Sequence, residues 1–303
     1  MSEVACVVVT YDAMPWIEQC LESVASLPTV VVDNGSRDET VAFVRRRFPT
    51  VTVLEAENRG LAAGWNRGIA KVEAAYVLLL NADAWLVGDA LATLVETASR
   101  HPRAAVVAPR LRNPDGTLQR SVRGFPTPWR IATEYLYLRK LGRRTRLFNA
   151  FYGAGFAHDV EREVEWVMGA CVLVRREALE DVGPFDERFF LFSEEVDWMR
   201  RARDRGWSVV FTPAAECVHV GGASHGGRLF VENAKGHLRY LALHAGDVAA
   251  HRARRVMRAG IRIRIVTSRG ARREALREAD RALARVALAE LRAAPGRVDT
   301  GGP

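Results

Sequence analysis

Residues 76–84 read YVLLLNADA. Five consecutive apolar residues give way at once to Asn81 and Asp83. The run carries no polar–apolar alternation, so it reads as a short strand buried on both faces, as in a parallel sheet covered by helices. The same design recurs on either side of it. ACVVVT (5–10) and TVVVD (29–33) come before, Val51–Leu54 forms a third such strand, and Ala104–Ala108 follows. Helical segments lie between them. One starts near Pro15, a favoured first-turn residue. A second is opened by Ser36 and Glu39, spaced as a capping box, and runs to about Arg47. Leu61–Val72 and Gly88–Arg100 supply two more. This alternation predicts an α/β fold, a Rossmann-like, mostly parallel sheet with helices on both faces. Ligands of such sheets collect beyond the carboxyl ends of the strands. Chemistry is therefore expected in the loops that start at Thr10, Asp33, Glu55 and Asn81.

Farther along, residues 111–163 carry Pro114, Pro126, Pro128 and many arginines, and read as a long loop or insertion. Order returns at Glu165–Val174, followed by a short helix at Arg176–Asp181 and a break at Gly183-Pro184. Ser193–Arg205 reads as a helix stopped by Gly206, and Trp207–Thr212 as a strand. After Gly221-Gly222 the pattern is helical to the end, which places a domain boundary near 222–230.

Composition narrows the class. Of 303 residues, 49% are hydrophobic and 26% charged, as in a globular enzyme and unlike a disordered chain. No window approaches 18 uninterrupted apolar residues, and the N-terminus enters a strand without a signal-peptide pattern, so a cytoplasmic location is expected. Cys6, Cys20, Cys171 and Cys217 match no zinc or disulfide spacing and read as buried thiols. Residues 251–303 hold fourteen arginines against five acids, a net of +9, so the first 250 residues sum to about −1 of the chain's +8. The basic character belongs to the tail, which argues against a nucleic-acid partner for the whole protein. Leu276, Ala279, Leu283, Ala287 and Leu291 recur in that tail at three- and four-residue steps, an apolar stripe flanked by arginine.

Four places carry candidate chemistry, and each has a plain structural alternative. Asp83, ending a strand, is placed to bind a divalent cation that bridges phosphates, or to cap the next helix through an Asx turn. Asp33 and Asn34 are suited to hydrogen-bond a base or ribose, or simply to make the strand–turn–helix connection. Glu194, Glu195 and Asp197 either supply a general base or complement a helix dipole. Successive residues point about 100° apart on a helix, so at most one of Glu194 and Glu195 faces a given substrate atom. His219, in CVHVGGAS (217–224), is either a metal ligand or a half-buried loop histidine. His225 and His244 are left open.

In combination the segments are specific. VVVTYD (7–12), VVDNGSRDET (31–40), ENRGLAAGWNRGI (57–69), LLLNADAWL (78–86), WVMGACVLVRREALEDVGPFDERFF (166–190), EEVDWMRRARDRGW (194–207) and His219 follow in this order. The run resembles the large inverting glycosyltransferase family 2, with the GT-A fold, and most of all its bacterial rhamnosyltransferase-like branch. The resemblance covers about residues 4–245. It implies a GT-A catalytic domain over 1–225, with a nucleotide-sugar half at about 1–110 and an acceptor half at about 111–225. Residues 226–303 would form a helical, Arg-rich extension. Thr10, Tyr11, Asp33, Asn34, Asn58, Asn81 and Asp83 would bind the nucleotide-sugar. Asp83 matches the last carboxylate of the family's Asp-x-Asp element, whose first place here is Asn81. His219 matches a histidine that completes the metal site, which implies Mg²⁺ or Mn²⁺ as cofactor. Glu195 matches the catalytic base, with Glu in place of Asp. Gly169, Ala170 and Glu194 would lie at the acceptor, and Trp198 would offer an apolar platform to a sugar ring.

The reaction so implied is a single displacement. A sugar, rhamnose by resemblance, leaves a dTDP- or UDP-linked donor and joins a hydroxyl of a glycan or lipid-linked acceptor, in cell-envelope polysaccharide synthesis. A solvated glutamate has a pKa of about 4.3 and is ionised at neutral pH, as the base requires. The alternative is a non-catalytic nucleotide-binding scaffold on the same fold. For the tail, a peripheral contact with the inner face of the membrane and a homodimer through its helices are the expected partners.

Overall fold

The computed structural model describes residues 2–138, 156–221, 227–287 and 290–292. The chain forms two compact units. The first comprises Met1–Val122, Ala157–Asp186 and Asp197–Gly221; the second comprises Arg123–Phe156, Glu187–Val196 and Gly222–Pro303.

The first unit is built on a sheet of ten strands among the described residues. Its strands are β1 (Ser2–Thr10), β2 (Thr29–Asp33), β3 (Thr52–Glu55), β4 (Ala74–Asn81), β5 (Ala84–Val87), β6 (Ala104–Arg112), β7 (Leu118–Gln119), β9 (Arg162–Val164), β11 (Cys171–Arg175) and β12 (Ser208–His219). Two short strands, β8 (Val122–Arg123) and β10 (Trp166–Val167), stand outside it. The main order is β3-β2-β1-β4-β11-β6-β12-β5. β3, β2, β1 and β4 are parallel, as their continuous apolar runs predict, and β12 runs parallel to β6. β11 is inserted antiparallel between β4 and β6. Strand 104–112 therefore does not sit beside strand 74–81, although it follows it in sequence. The four-residue β5, which the apolar pattern does not reveal, closes the far edge antiparallel to β12.

Helices α1 (Ile17–Glu22), α2 (Thr40–Arg47), α3 (Leu61–Ile69), α4 (Ala90–Arg100) and α6 (Arg176–Val182) cover this sheet. Side chains alternate along a strand, and the burial pattern follows. Val4, Cys6 and Val8 of β1 join Ile17, Leu21, Val44 and Leu94 in one core layer. Val7 and Val9, which point to the other face, meet α3. There Gly64 and Gly68 lie directly over the strand: a Cβ on Gly64 would stand 2.7 Å from Val9 Cγ1, and one on Gly68 would overlap Val7. Two glycines one turn apart let this helix rest on β1 at close range.

The capping box expected at Ser36 and Glu39 does not form. α2 starts later, at Thr40, and its N-cap Glu39 makes no side-chain cap. Ser36 Oγ instead donates to Asp33 Oδ1. The turn closes on the strand end before the helix begins, because Asp33 competes for the serine.

The second unit holds α5 (Pro128–Tyr135), α8 (Gly227–His244), α9 (Asp247–Thr267), α10 (Gly270–Arg285) and the 3₁₀ turn Glu290–Arg292. The segment read as an irregular insertion thus contains a helix, capped by Thr127 with Pro128 in its first turn; residues 139–155 lie outside the described residues. Ala279, Leu283 and Leu291 of the expected apolar stripe are buried inside this unit. Leu276 is half-buried and Ala287 exposed, so most of the stripe is an internal packing surface, held further by Arg258 and Arg262 on Asp280 at 2.7 and 3.2 Å. α7 (Glu194–Asp204) begins in the second unit and continues in the first.

Candidate active site

Register brings the first candidates together. Thr10 pairs with Asp33, and Val9 with Asn81, so β2, β1 and β4 end at one level. Neighbouring strands lie about 4.8 Å apart, which puts the Asp33 and Asn81 backbones roughly 10 Å apart on one edge. The loops after β1 and β2 are tied to each other. Asp12 N–H donates to Ser36 Oγ at 2.9 Å, Arg37 N–H to Asp12 Oδ1 at 2.6 Å, and Ala13 N–H to Thr40 Oγ1 at 3.1 Å. Asp12 itself has a φ of 49°, in the left-handed region that aspartate tolerates better than most residues. Asp12 and Thr40 end the segments VVVTYD (7–12) and VVDNGSRDET (31–40), but their part in joining the two loops was not foreseen. They hold Thr10 and the exposed Tyr11 in place.

Asp33 is buried, and its Oδ2 accepts from Gly35 N–H at 3.0 Å and Ser36 N–H at 2.9 Å. Here the turn-forming role is the one observed. Asn34 is buried beside it and donates through Nδ2 to Gly60 O at 3.2 Å. Gly60 N–H in turn donates to Asn58 Oδ1 at 3.1 Å, which links Asn58 to the same edge. Thr10 Oγ1 and Asn34 Oδ1 are buried with no hydrogen-bond partner among the described residues. Such atoms are uncommon in folded proteins, and two of them fall at this edge. Asn81 contributes backbone: its N–H donates to Ala170 O at 2.9 Å. Gly169 and Ala170 are both buried, so what they bring to the site is main chain.

Asp83, two residues beyond Asn81, meets His219 where β5 pairs with β12. β5 pairs antiparallel with β12 so that Ala84 faces His219. The Val220 N–H donates to Asp83 O at 3.0 Å, and Gly221 N–H to Asp83 Oδ2 at 3.1 Å. Asp83 Oδ1 stands 3.4 Å from His219 Nε2. Burial pushes the Asp83 carboxyl up, but the hydrogen bond and charge of His219 and the Gly221 N–H outweigh it and hold the carboxyl below its ordinary value. The other imidazole nitrogen is oriented by Gln119. That amide donates through Nε2 to Asn113 Oδ1 at 2.9 Å and to His219 O at 3.2 Å, so its Oε1 faces His219 Nδ1 at 2.7 Å. Nδ1 is therefore a donor, and Nε2 is directed at Asp83. Gln119 was not foreseen, because only the turn back from β6 into β7 brings it under the histidine.

One carboxylate and one imidazole nitrogen aimed at the same point, with the ring oriented from behind, fit a divalent cation. Among the described residues no group of three or more His, Cys, Asp or Glu converges. Asp83 and His219 would be the two protein ligands of such a cation, which needs few protein groups where phosphate oxygens supply the others.

The three acids of α7 differ sharply. Asp197 is buried and accepts from Arg201 Nε at 2.8 Å, while Arg201 also donates to Val182 O and Pro184 O at 3.0 and 2.8 Å. This is a structural ion pair. Glu194 is buried, and its Oε2 meets no hydrogen-bond partner among the described residues. Burial, followed by the neighbouring charge of Glu195, pushes its carboxyl well above the ordinary range. Glu195 is half-buried. Phe192 and Ser193 just before them have φ of 69° and 74°, two successive non-glycine residues in the left-handed region. Such backbone persists only where its surroundings enforce it, and it clusters at functional sites. Gly236 of α8 packs against it: a Cβ there would stand 2.6 Å from Phe192 O.

The structure corrects the expected role of Trp198. Its indole has no exposed surface, donates through Nε1 to Gly183 O at 2.8 Å, and stacks on Phe185 at 5.3 Å. The third position after Glu195 turns into the core, so this ring offers no face to a sugar. All the other expected binding residues except Glu194 and Glu195 belong to the first unit. His244 lies against the Tyr240 ring at 4.7 Å, and His225 falls outside the described residues.

Residues 5–183 match the family described as Glycosyl transferase family 2. An N-acetylglucosaminyl-diphospho-decaprenol L-rhamnosyltransferase of Mycobacterium tuberculosis is 34% identical over 230 residues, covering 70% of this chain and 74% of that protein. Among solved structures, a mannosyltransferase from Pyrobaculum calidifontis in complex with GDP-Man and Mn²⁺ has a TM-score of 0.56 at 19% identity, covering 95% of this chain and 84% of its own. GalNAc-T7 with UDP, GalNAc and Mn²⁺ has a TM-score of 0.57 at 14% identity over 80% of this chain, which spans about half (48%) of that one. At these identities the structures show a shared fold.

Proposed function

The chain belongs to glycosyl transferase family 2, and we propose that it transfers L-rhamnose from dTDP-rhamnose to a hydroxyl of a lipid-diphosphate-linked N-acetylglucosamine, in the assembly of a cell-envelope glycan. Its likeness to the mycobacterial rhamnosyltransferase, over 74% of that protein, carries this choice of sugar and acceptor. The reading places the nucleotide-sugar at the edge formed by Thr10, Tyr11, Asp33, Asn34, Asn58 and Asn81, in a catalytic domain at about 1–225.

Asp83 and His219 are the residues that would hold Mg²⁺ or Mn²⁺, and a cation there supplies Lewis-acid neutralisation of the leaving diphosphate. Glu195 takes the proton of the acceptor hydroxyl as that oxygen attacks the anomeric carbon from the face opposite the diphosphate. A single displacement of this kind inverts the carbon. Glu194, whose burial favours the neutral acid, does not compete for the proton. Asp197 is committed to Arg201. On this reading the enzyme works in the cytoplasm, at the inner face of the membrane where a lipid-linked acceptor is reached.

The test is a donor screen. Purified protein, N-acetylglucosaminyl-diphospho-polyprenol and Mn²⁺ are mixed in turn with dTDP-rhamnose and with UDP- and GDP-sugars, and released nucleoside diphosphate and glycosylated lipid are measured. Turnover with dTDP-rhamnose alone is expected. Turnover with a UDP- or GDP-sugar in its place would overturn the donor assignment. Nucleotide binding without transfer from any donor would favour the scaffold alternative.

A further inference from the structure

We infer that the outward face of α9 is a docking surface for anionic lipid bilayers. α9 spans 21 residues, Asp247–Thr267, about 32 Å at 1.5 Å per residue. At 100° per residue, Ala250, Ala253, Met257, Gly260 and Ile261 share the side that packs into the second unit, and all five are buried. The opposite side is an arc of about 100° holding Val248, Arg252, Arg255, Ala259, Ile263 and Val266. Val248, Ile263 and Val266 are 64%, 56% and 76% exposed, more than a helix needs to show of branched aliphatic side chains. Arg252 and Arg255 are exposed between them and have no carboxylate partner among the described residues.

Charge selects the occupant. The only acid in α9 is Asp247, which is engaged by Arg292 at 2.9 Å. The nearby Asp280 is taken by Arg258 and Arg262. The arc is therefore cationic with no acid of its own to offset it. A second copy presenting the same face would set arginines against arginines. A nucleic acid would satisfy the arginines but offers nothing to three aliphatic side chains. An anionic bilayer satisfies both, with phosphates for the arginines and acyl chains for the valines and isoleucine, the arrangement of helices that lie in the membrane interface. No described helix is long and apolar enough to cross a membrane, so this contact is peripheral. The inference stands on this face alone and does not depend on which sugar is transferred.

Full-length protein is sedimented with vesicles of phosphatidylcholine and with vesicles of phosphatidylcholine and phosphatidylglycerol, at low and high salt. Binding is expected only to the anionic vesicles and weakens with salt. Each arginine near such a surface is worth about fivefold in partitioning, so Arg252→Glu/Arg255→Glu is expected to lose at least about 25-fold. Ile263→Glu/Val266→Glu is expected to lose binding as well. All four positions are exposed, so both variants keep the parent's circular dichroism and melting temperature. Absence of binding to either vesicle overturns the inference, as does equal binding by parent and variants. So does a dimer, seen by light scattering, that Ile263→Glu/Val266→Glu converts to monomer without any vesicle binding by the parent.

Discussion

Exchanging each acid of α7 for its amide separates the roles proposed for them. Glu195→Gln removes the proposed proton acceptor and keeps the shape. General-base catalysis contributes about 10²–10⁴-fold, or roughly 3–5 kcal/mol of barrier, so kcat falls by that factor. Stability should hold or rise, because the charge removed is one that presses on buried Glu194. Asp197→Asn does the reverse. Its side chain is 3% exposed and Arg201's is 25%. Breaking a fully buried pair costs about 3–5 kcal/mol and an exposed one about 0–1. Arg201 keeps two carbonyl acceptors and some solvent, so an intermediate cost of about 2 kcal/mol is expected. That lowers Tm by roughly 4–8 °C for a domain of this size, with turnover at 25 °C near the parent's. Glu194→Gln resembles the neutral acid already favoured and leaves turnover near the parent's. The assay is turnover of all three variants, with melting curves and calorimetric donor affinity. Loss of turnover in Asp197→Asn at undiminished Tm, with normal turnover in Glu195→Gln, would refute the assignment.

Chelation should abolish transfer and Mn²⁺ or Mg²⁺ restore it; Asp83→Ala should be inactive yet folded, and Gln119→Ala, which frees the His219 ring, should weaken metal affinity by about 10–100-fold. Full activity in chelator would remove the cation from the mechanism. His237 is buried, and burial, then the charge of Arg123, depresses its pKa to about 3. The unfolded chain takes up that proton near pH 6.5 and the folded one does not, so its contribution is complete above about pH 6.5 and is lost as pH falls towards 3, by up to about 1.4 kcal/mol per pH unit. His237→Gln should flatten stability against pH in that window, and parallel curves for parent and variant would contradict this. Gly68→Ala gains helix propensity of about 1 kcal/mol but drives a methyl into Val7; overpacking at about 1–3 kcal/mol should win, and a raised Tm would show that α3 can lift off β1.

The sequence made the parallel half of the sheet legible because each of its strands is buried on both faces, and such strands announce themselves as unbroken apolar runs. The antiparallel half was less so. The ordered run read at Glu165–Val174 contains most of β11, but nothing local says that it enters the sheet between two strands that precede it. β5 is four apolar residues, Ala84–Val87, set directly behind Asn81 and Asp83, too short a run to announce a separate strand. At the site, acids and a histidine at strand ends were visible one by one. Gln119 and Asp12 were not, since their roles exist only through partners about 100 and 25 residues away. Ser36 misled because a cap signal is a local inference, and it lost to the nearer Asp33; Trp198 was assigned by resemblance, and its ring is taken by Gly183 and Phe185.

β5 shows what such a non-local element contributes. It is a four-residue edge strand, too short to recruit another chain. Its register sets Ala84 opposite His219 and so delivers Asp83, one residue earlier, to the imidazole and to the Val220 and Gly221 amides. A slip of one residue would turn every side chain of β5 to the other face. Ala84 and Leu86 would leave the core layer they share with Leu94 and Cys217, and Asp83 would lose His219. Packing of those two apolar residues is thus the force that holds the carboxylate at the imidazole. Fidelity of the candidate metal site rests on a hydrophobic register and does not require the two polar ligands to attract each other.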